Sequence, residues 1–141
     1  MTFSFGGSEH ERVQMDVHGY EQSSDSDDRF DLNWLRTDVS VQAGSFHGRE
    51  SIAILTWELS GFLAELVKLQ ETLAGTATFE TIEEQLEMQL KGDGRGHIEL
   101  SGCVSSPENA NSLKFYLEFD QTDLAKTISE LKGVLRKFPE R

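Results

Sequence analysis

Apolar and polar residues alternate along much of this chain, and the period of the alternation changes three times. From Arg12 to Tyr20, Val13, Met15 and Val17 fall on one side and Gln14, Asp16 and His18 on the other, the period-two pattern of a half-buried strand. Leu35, Thr37, Val39 and Val41 alternate with Trp34, Arg36, Asp38, Ser40 and Gln42, predicting a second strand. Beyond the turn at Ala43 to Ser45, Phe46, Gly48, Glu50, Ile52 and Ile54 form a weaker alternation, with Glu50 out of keeping. The glycine-containing turn predicts that this third strand pairs with the second as a hairpin. The period then lengthens. Leu59, Phe62, Leu63, Leu66, Gln70 and Leu73 share one helical stripe, with Thr56 as the expected N-cap, Glu58 at the positive end and Gly75 at the left-handed position after the last turn. Gly61 costs about 1 kcal/mol relative to alanine in a helix interior, so close packing against another backbone is the expected reason for it.

After Gly75 the chain returns to strands: a short one at Thr76 to Phe79, then Leu86, Met88 and Leu90, then Ile98, Leu100, Gly102 and Val104, and after the loop SPENANS the clearest of all, Leu113, Phe115, Leu117 and Phe119. Gly92 to Gly96 supplies a turn tolerant of positive φ. Leu124, Ile128, Leu131, Leu135 and Phe138 mark a second helix, capped by Thr122 or Asp120, complemented by Lys132, Arg136 and Lys137 and stopped near Pro139. The expected fold class is α+β: one antiparallel sheet of about six to seven strands with two amphipathic helices, in the order βββα-ββββα. Residues 1–141 form a single domain in this reading, with a short flexible N-terminal segment 1–11. The two halves share a coarse pattern of strands then helix, with no repeat at a solenoid period.

Charge changes the picture more than composition does. Hydrophobic residues at 37% and a mean hydropathy of -0.44 are those of an ordinary globular chain, but the net charge is -12. Such a chain repels nucleic-acid phosphates and anionic lipid and attracts basic surfaces. The expected partner is therefore a basic protein, not a nucleic acid or a membrane. No apolar run approaches the roughly 20 residues of a membrane span, the N-terminus lacks the pattern of a secretory signal, and the single Cys103 cannot close an intrachain disulfide. A cytoplasmic location is expected.

The search for chemistry returns little. The segment GDGRG lies between two strands, without the following helix that directs N–H groups at a phosphate. Counted from Asp25, the acidic loop has Phe30 and Arg36 where a calcium loop needs glycine and glutamate. His10, His18, His47 and His97 are scattered, and Cys103 has no basic neighbour in sequence to activate it. No catalytic residue, cofactor or metal ligand is expected, and the chain reads as a non-enzymatic binding protein. An uncharacterised small-ligand-binding or enzymatic α+β domain, with a cleft between sheet and helices, is the alternative. The candidate contact residues are the acids of the hydrated loop, Asp25, Asp27, Asp28 and Asp31, together with Trp34, Arg36, Tyr20 and Tyr116. Trp34, Tyr20 and Tyr116 fall in the polar phases of their strands, and Trp, Tyr and Arg are the usual anchors of interfaces.

The segments NWL after an acidic loop, LTWELSGFLAEL, GDGRGHIELSG and the closing LKFYLEFDQTDLAKTISELKGVLRKFP resemble the WapI-like immunity family of small bacterial proteins, from about Val13 onward. The resemblance implies an antitoxin that binds and neutralises the toxic C-terminal domain of a partner, often a nuclease. No residue role is carried over from it. On this reading the acids of Asp25 to Asp31 form a hydrated lip beside Trp34, giving long-range attraction next to an apolar anchor.

Overall fold

A computed structural model describes residues 1–141, which form eight strands and three helices. β1 (Thr2–Ser8), β2 (Glu11–Tyr20), β3 (Trp34–Ala43) and β4 (Phe46–Leu55) lie side by side in one antiparallel sheet, sheet A. β5 (Ala74–Glu80), β6 (Leu86–Asp93), β7 (His97–Ser105) and β8 (Ser112–Asp120) repeat that arrangement in sheet B. A single helical turn, α1 (Arg29–Asn33), joins β2 to β3, while α2 (Thr56–Thr72) follows β4 and α3 (Gln121–Lys137) follows β8.

The expected single sheet of six to seven strands is thus two sheets of four, and the two helices are three. Alternation reads which residues share a face but not which strands are partners, and α2 separates β4 from β5 so that the ladder is broken there. The unforeseen strand is β1, within the segment expected to be flexible. Its Phe3 and Phe5 are fully buried and pair with Met15 and Val13. The sequence signal was a three-residue FSF alternation cut short by Gly6 and Gly7.

Both sheets and the two long helices enclose one core of 30 buried residues. The helices are exchanged. α2, from the first half, packs on β5, and α3, from the second, packs on β1. In each case the tenth residue of a 17-residue helix is a glutamate that accepts a backbone N–H from the covered edge strand. Glu65 Oε1 accepts from Thr78 N at 3.3 Å, and Glu130 Oε1 from Ser4 N at 3.2 Å. Uncovered edges offer rows of unpaired backbone groups to other chains, so these helices cap the sheets as well as fill the core. Phe62 of α2 is the centre of the aromatic contact between halves, 5.8 Å from Phe5 and 4.8 Å from Phe79 by ring centroids.

Local details refine the helix ends. Thr56 is the first residue inside α2, not its cap, and its buried hydroxyl donates to Asn33 Oδ1 at 2.8 Å. Glu58 supplies the cap from within, accepting from Leu55 N at 3.0 Å and from Ile82 N at 2.8 Å. Leu73, not Gly75, takes the left-handed position at the end of α2, with φ 58°. At α3, Asp120 accepts from Thr122 N and Asp123 N at 2.9 and 3.1 Å. Gly61 does not approach another backbone: a Cβ there would meet nothing within 4 Å. Packing does require glycine at Gly92, where a Cβ would lie 2.3 Å from the Leu73 carbonyl oxygen, and at Gly102, where it would lie 2.5 Å from the Phe115 ring that crosses it.

Candidate functional site

The sequence-predicted contact residues divide between three places. The acidic loop is shaped by its own carboxylates. Asp28 caps α1, accepting from Phe30 N at 2.8 Å and Asp31 N at 3.3 Å, and Asp31 accepts from the Ser26 hydroxyl at 3.2 Å. Asp25 takes the Ser23 hydroxyl at 3.3 Å, and Asp27 is exposed. The C-terminus closes over this region. Arg141 donates to the carbonyls of Gln22 and Leu32, its backbone N–H reaches Asn33 Oδ1 at 2.9 Å, and Arg29 pairs with Glu140 at 2.7 Å.

Tyr20 belongs to that closure and does not point to the polar face. The β2 register shifts between Val17 and Gly19, which reverses the phase of the strand and sets Tyr20 opposite buried Leu35. Its hydroxyl donates to the Pro139 carbonyl, its ring meets Phe138 edge-on at 5.7 Å, and the Arg141 guanidinium lies 3.7 Å above it. Burial pushes its pKa up. Trp34 and Arg36 do keep the polar phase of β3, on the outer face of sheet A, whereas Tyr116 stands on the outer face of sheet B. Four of the aromatic and charged candidates therefore do not form one patch. The loop gains an unforeseen companion instead: Phe30, 44% exposed, packs edge-on against Trp57 at 5.1 Å, with Arg29 4.1 Å from the indole centroid.

Sheet A settles the charge of its two facing aspartates internally. Asp16 and Asp38 face one another across β2 and β3. Asp16 lies 3.5 Å from the N-terminal ammonium. Asp38 accepts from Ser51 Oγ at 2.5 Å, Arg49 at 2.6 Å and His18 at 3.0 Å, and these three donors hold its carboxyl far below the usual aspartate range.

Sheet B does the reverse. Its outward residues form cross-strand rows: Thr76, Lys91, Glu99 and Glu118; then Thr78, Gln89, Ser101 and Tyr116; then Glu80, Glu87, Cys103 and Lys114. Glu80 is directly opposite Glu87, and Glu99 directly opposite Glu118. Like charges at such positions destabilise a sheet. Of these four acids Glu118 is bonded by the Tyr116 hydroxyl at 3.0 Å and His97 Nε2 at 3.2 Å, in that order lowering its pKa, while Glu99 stands opposite Lys91 on its other side and has no ion pair. Tyr116, 51% exposed, has its own pKa pushed up to about 12 by desolvation and by Glu118 and Glu99. Beside it Glu80, Glu87 and Lys114 rim a hollow of about 320 Å³.

His97, Glu99 and Glu118 bring three ligand atoms within 4.8 Å of one another, all on exposed side chains. No sequence spacing pointed to them, because the trio comes from two strands joined by a loop and exists only once the β7–β8 register is fixed. The acidic face as a whole was within reach of the pattern: its members are the residues out of phase with Ile98, Leu100, Phe115 and Phe119.

Residues 4–139 match the immunity protein WapI-like family, so the chain belongs to that family. No curated protein matches it. Among solved structures, the chain is similar to the plant transcriptional regulator PBF-2, with TM-score 0.55, 11% identity and coverage of 96% of this chain and 87% of that one. It is also similar to MRP1/MRP2 of Trypanosoma bruciei, with TM-score 0.50, 14% identity and coverage of 97% and 83%. At these identities the likeness extends to the fold alone.

Proposed function

We propose that this member of the WapI-like immunity family neutralises a basic toxin domain by direct binding, and that the outer face of sheet B is the surface it uses. The protein works by occupancy in this reading, without catalysing a reaction. The supporting observation is two pairs of opposed carboxylates, Glu80 with Glu87 and Glu99 with Glu118, held on an open face at the expense of sheet stability. A partner arginine or lysine between them relieves the repulsion, so the strain becomes binding energy. Tyr116 supplies a rigid, half-exposed anchor at the centre of the face, and the hollow beside it accommodates one long basic side chain. The net charge of -12 draws such a partner in from a distance. The acids of the loop, Asp25 and Asp27 in particular, then act as long-range attraction and not as the contact itself.

The test begins with the gene upstream of this protein's own, in search of a large secreted protein with a short basic C-terminal domain. That domain is co-expressed with the parent protein and with a variant carrying Glu80→Gln, Glu87→Gln, Glu99→Gln and Glu118→Gln. The parent is expected to rescue growth and form a stable complex, and the variant to do neither while remaining folded. A variant that protects as well as the parent removes sheet B from the interface; failure of the parent removes the toxin reading.

A further inference from the structure

Sheet A carries a feature of the opposite character. Two rows cross β2, β3 and β4: Arg12, Gln42 and His47 in one, Gln14, Ser40 and Arg49 in the next. Together they line a hollow of about 340 Å³ on the outer face. Arginines occupy diagonally opposite corners of it, and amides and a hydroxyl lie between. In a chain with a net charge of -12 this concentration of donors runs against the average. The one acid lining the hollow is Glu9, exposed at its rim, while Asp38 in the row beyond is saturated by Ser51, Arg49 and His18.

Arg12 makes no ion pair, and its Nε, shielded from water, has no acceptor in the protein. A shielded N–H without an acceptor costs stability, and the half-buried guanidinium, free of any ion pair, is open to an acceptor that a ligand brings. Gln42 directs its amide nitrogen to the Gly44 carbonyl at 2.7 Å, which leaves its oxygen facing outward as an acceptor.

We propose that this hollow binds a small hydroxylated phosphomonoester, of the nucleotide or sugar-phosphate class. Guanidinium forks match phosphoryl oxygens in plane and spacing, and Arg12, which has no ion pair, takes the phosphoryl group while Arg49, held on Asp38 at 2.6 Å, adds positive charge from the other corner. The hollow is too large for a bare phosphate and lies at the lower end of the usual range for small-ligand sites, so Gln14, Ser40 and Gln42 meet the hydroxyls or amide edges of the ligand's body. A single phosphate is favoured over a nucleic-acid strand because screening over about 8 Å lets a small anion respond to the nearest arginines, whereas a longer polyanion runs onto the acidic remainder of the surface. The site lies on the sheet opposite to the toxin-binding face in the chain's pattern of halves, so the two assignments stand or fall separately.

Isothermal titration of the full chain with AMP, ribose 5-phosphate, inorganic phosphate and a short single-stranded oligonucleotide tests the assignment. Saturable binding of AMP or ribose 5-phosphate is expected, with a dissociation constant on the order of 0.1 mM; the stronger of the two identifies the source. Arg12→Gln is expected to weaken it at least tenfold and Arg12→Lys, which keeps charge but loses the fork, by an intermediate factor. Amide shift changes in the parent protein confined to Gln14, Ser40 and His47 carry the same information if either variant folds poorly. No saturable binding of either organic phosphate, or binding unchanged by Arg12→Gln, overturns the proposal. Inorganic phosphate binding as tightly as AMP overturns the role of Gln14, Ser40 and Gln42, and binding of the oligonucleotide alone overturns it in favour of a nucleic-acid groove.

Discussion

The two sheets have the same strand order and each sets like-charged carboxylates opposite one another, yet they treat them differently. In sheet A, Asp16 and Asp38 are each supplied with a cation, the N-terminal ammonium for one and Arg49 for the other. In sheet B, Glu80, Glu87 and Glu99 have no ion pair within the protein, and Glu118 has only the exposed His97. A face whose carboxylates are already supplied with cations has little to gain from a basic partner. Under the proposed function, a face that leaves them unsatisfied stores repulsion that a basic partner relieves.

The contrast can be broken most directly by reversing charge on sheet B. Replacing Glu87 and Glu99 by lysine is expected to weaken binding of the cognate basic domain by about 100-fold, equivalent to about 2.7 kcal/mol, mostly through slower association at low salt. Arg36→Glu on sheet A is the matched control and is expected to change the affinity less than twofold. Stopped-flow association rates over a series of salt concentrations read both, and a larger effect from Arg36→Glu would transfer the interface to sheet A.

A smaller effect is expected on sheet A, in stability instead of binding. Asp38→Asn loses an acceptor held by Ser51, Arg49 and His18 and is expected to cost about 1–2 kcal/mol at pH 7, allowing for the water at this surface. Because the folded pKa of Asp38 lies below its ordinary value of 3.8, its contribution is present in full above that range and drains away as pH falls through it towards the folded value. Denaturant midpoints of parent and variant should therefore converge in acid. A gap that does not narrow as pH falls below 3.8 would mean that the carboxylate's charge is not what the network uses.

The smallest expected change has the opposite sign. Glu99→Gln removes one of two facing carboxylates on sheet B and is expected to stabilise the free protein by about 0.2–1 kcal/mol while weakening the complex. Chemical denaturation of the free protein measures the first half of that trade. A destabilised variant would show that Glu99 is compensated within the sheet after all.

The strands of sheet B and most of sheet A were legible because their alternation is regular, and α2 and α3 because their stripes are long. Partition into two sheets was not, since a strand's period is the same whichever neighbour it pairs with. Tyr20 was assigned the wrong side because one bulge at Gly19 inverts every residue after it. α1 escaped notice because one helical turn has no periodicity to read: it is held by the Asp28 cap and by Arg141, more than a hundred residues further along the chain. The facing glutamates were each visible as polar-phase residues, but their opposition is a property of register, which no single strand contains.

The exchanged helices also set the timing of folding. β1 and β2 pair locally, but the helix that covers β1's free edge lies beyond β8. A nascent chain therefore carries an open strand edge while β2 to β8 are made, and β1 is covered only when α3 has emerged and turned back onto it. Ribosome stalling or proteolysis between β8 and α3 would release a chain with that edge bare, the form in which such strands join neighbouring chains, and it is there that a chaperone would be needed most.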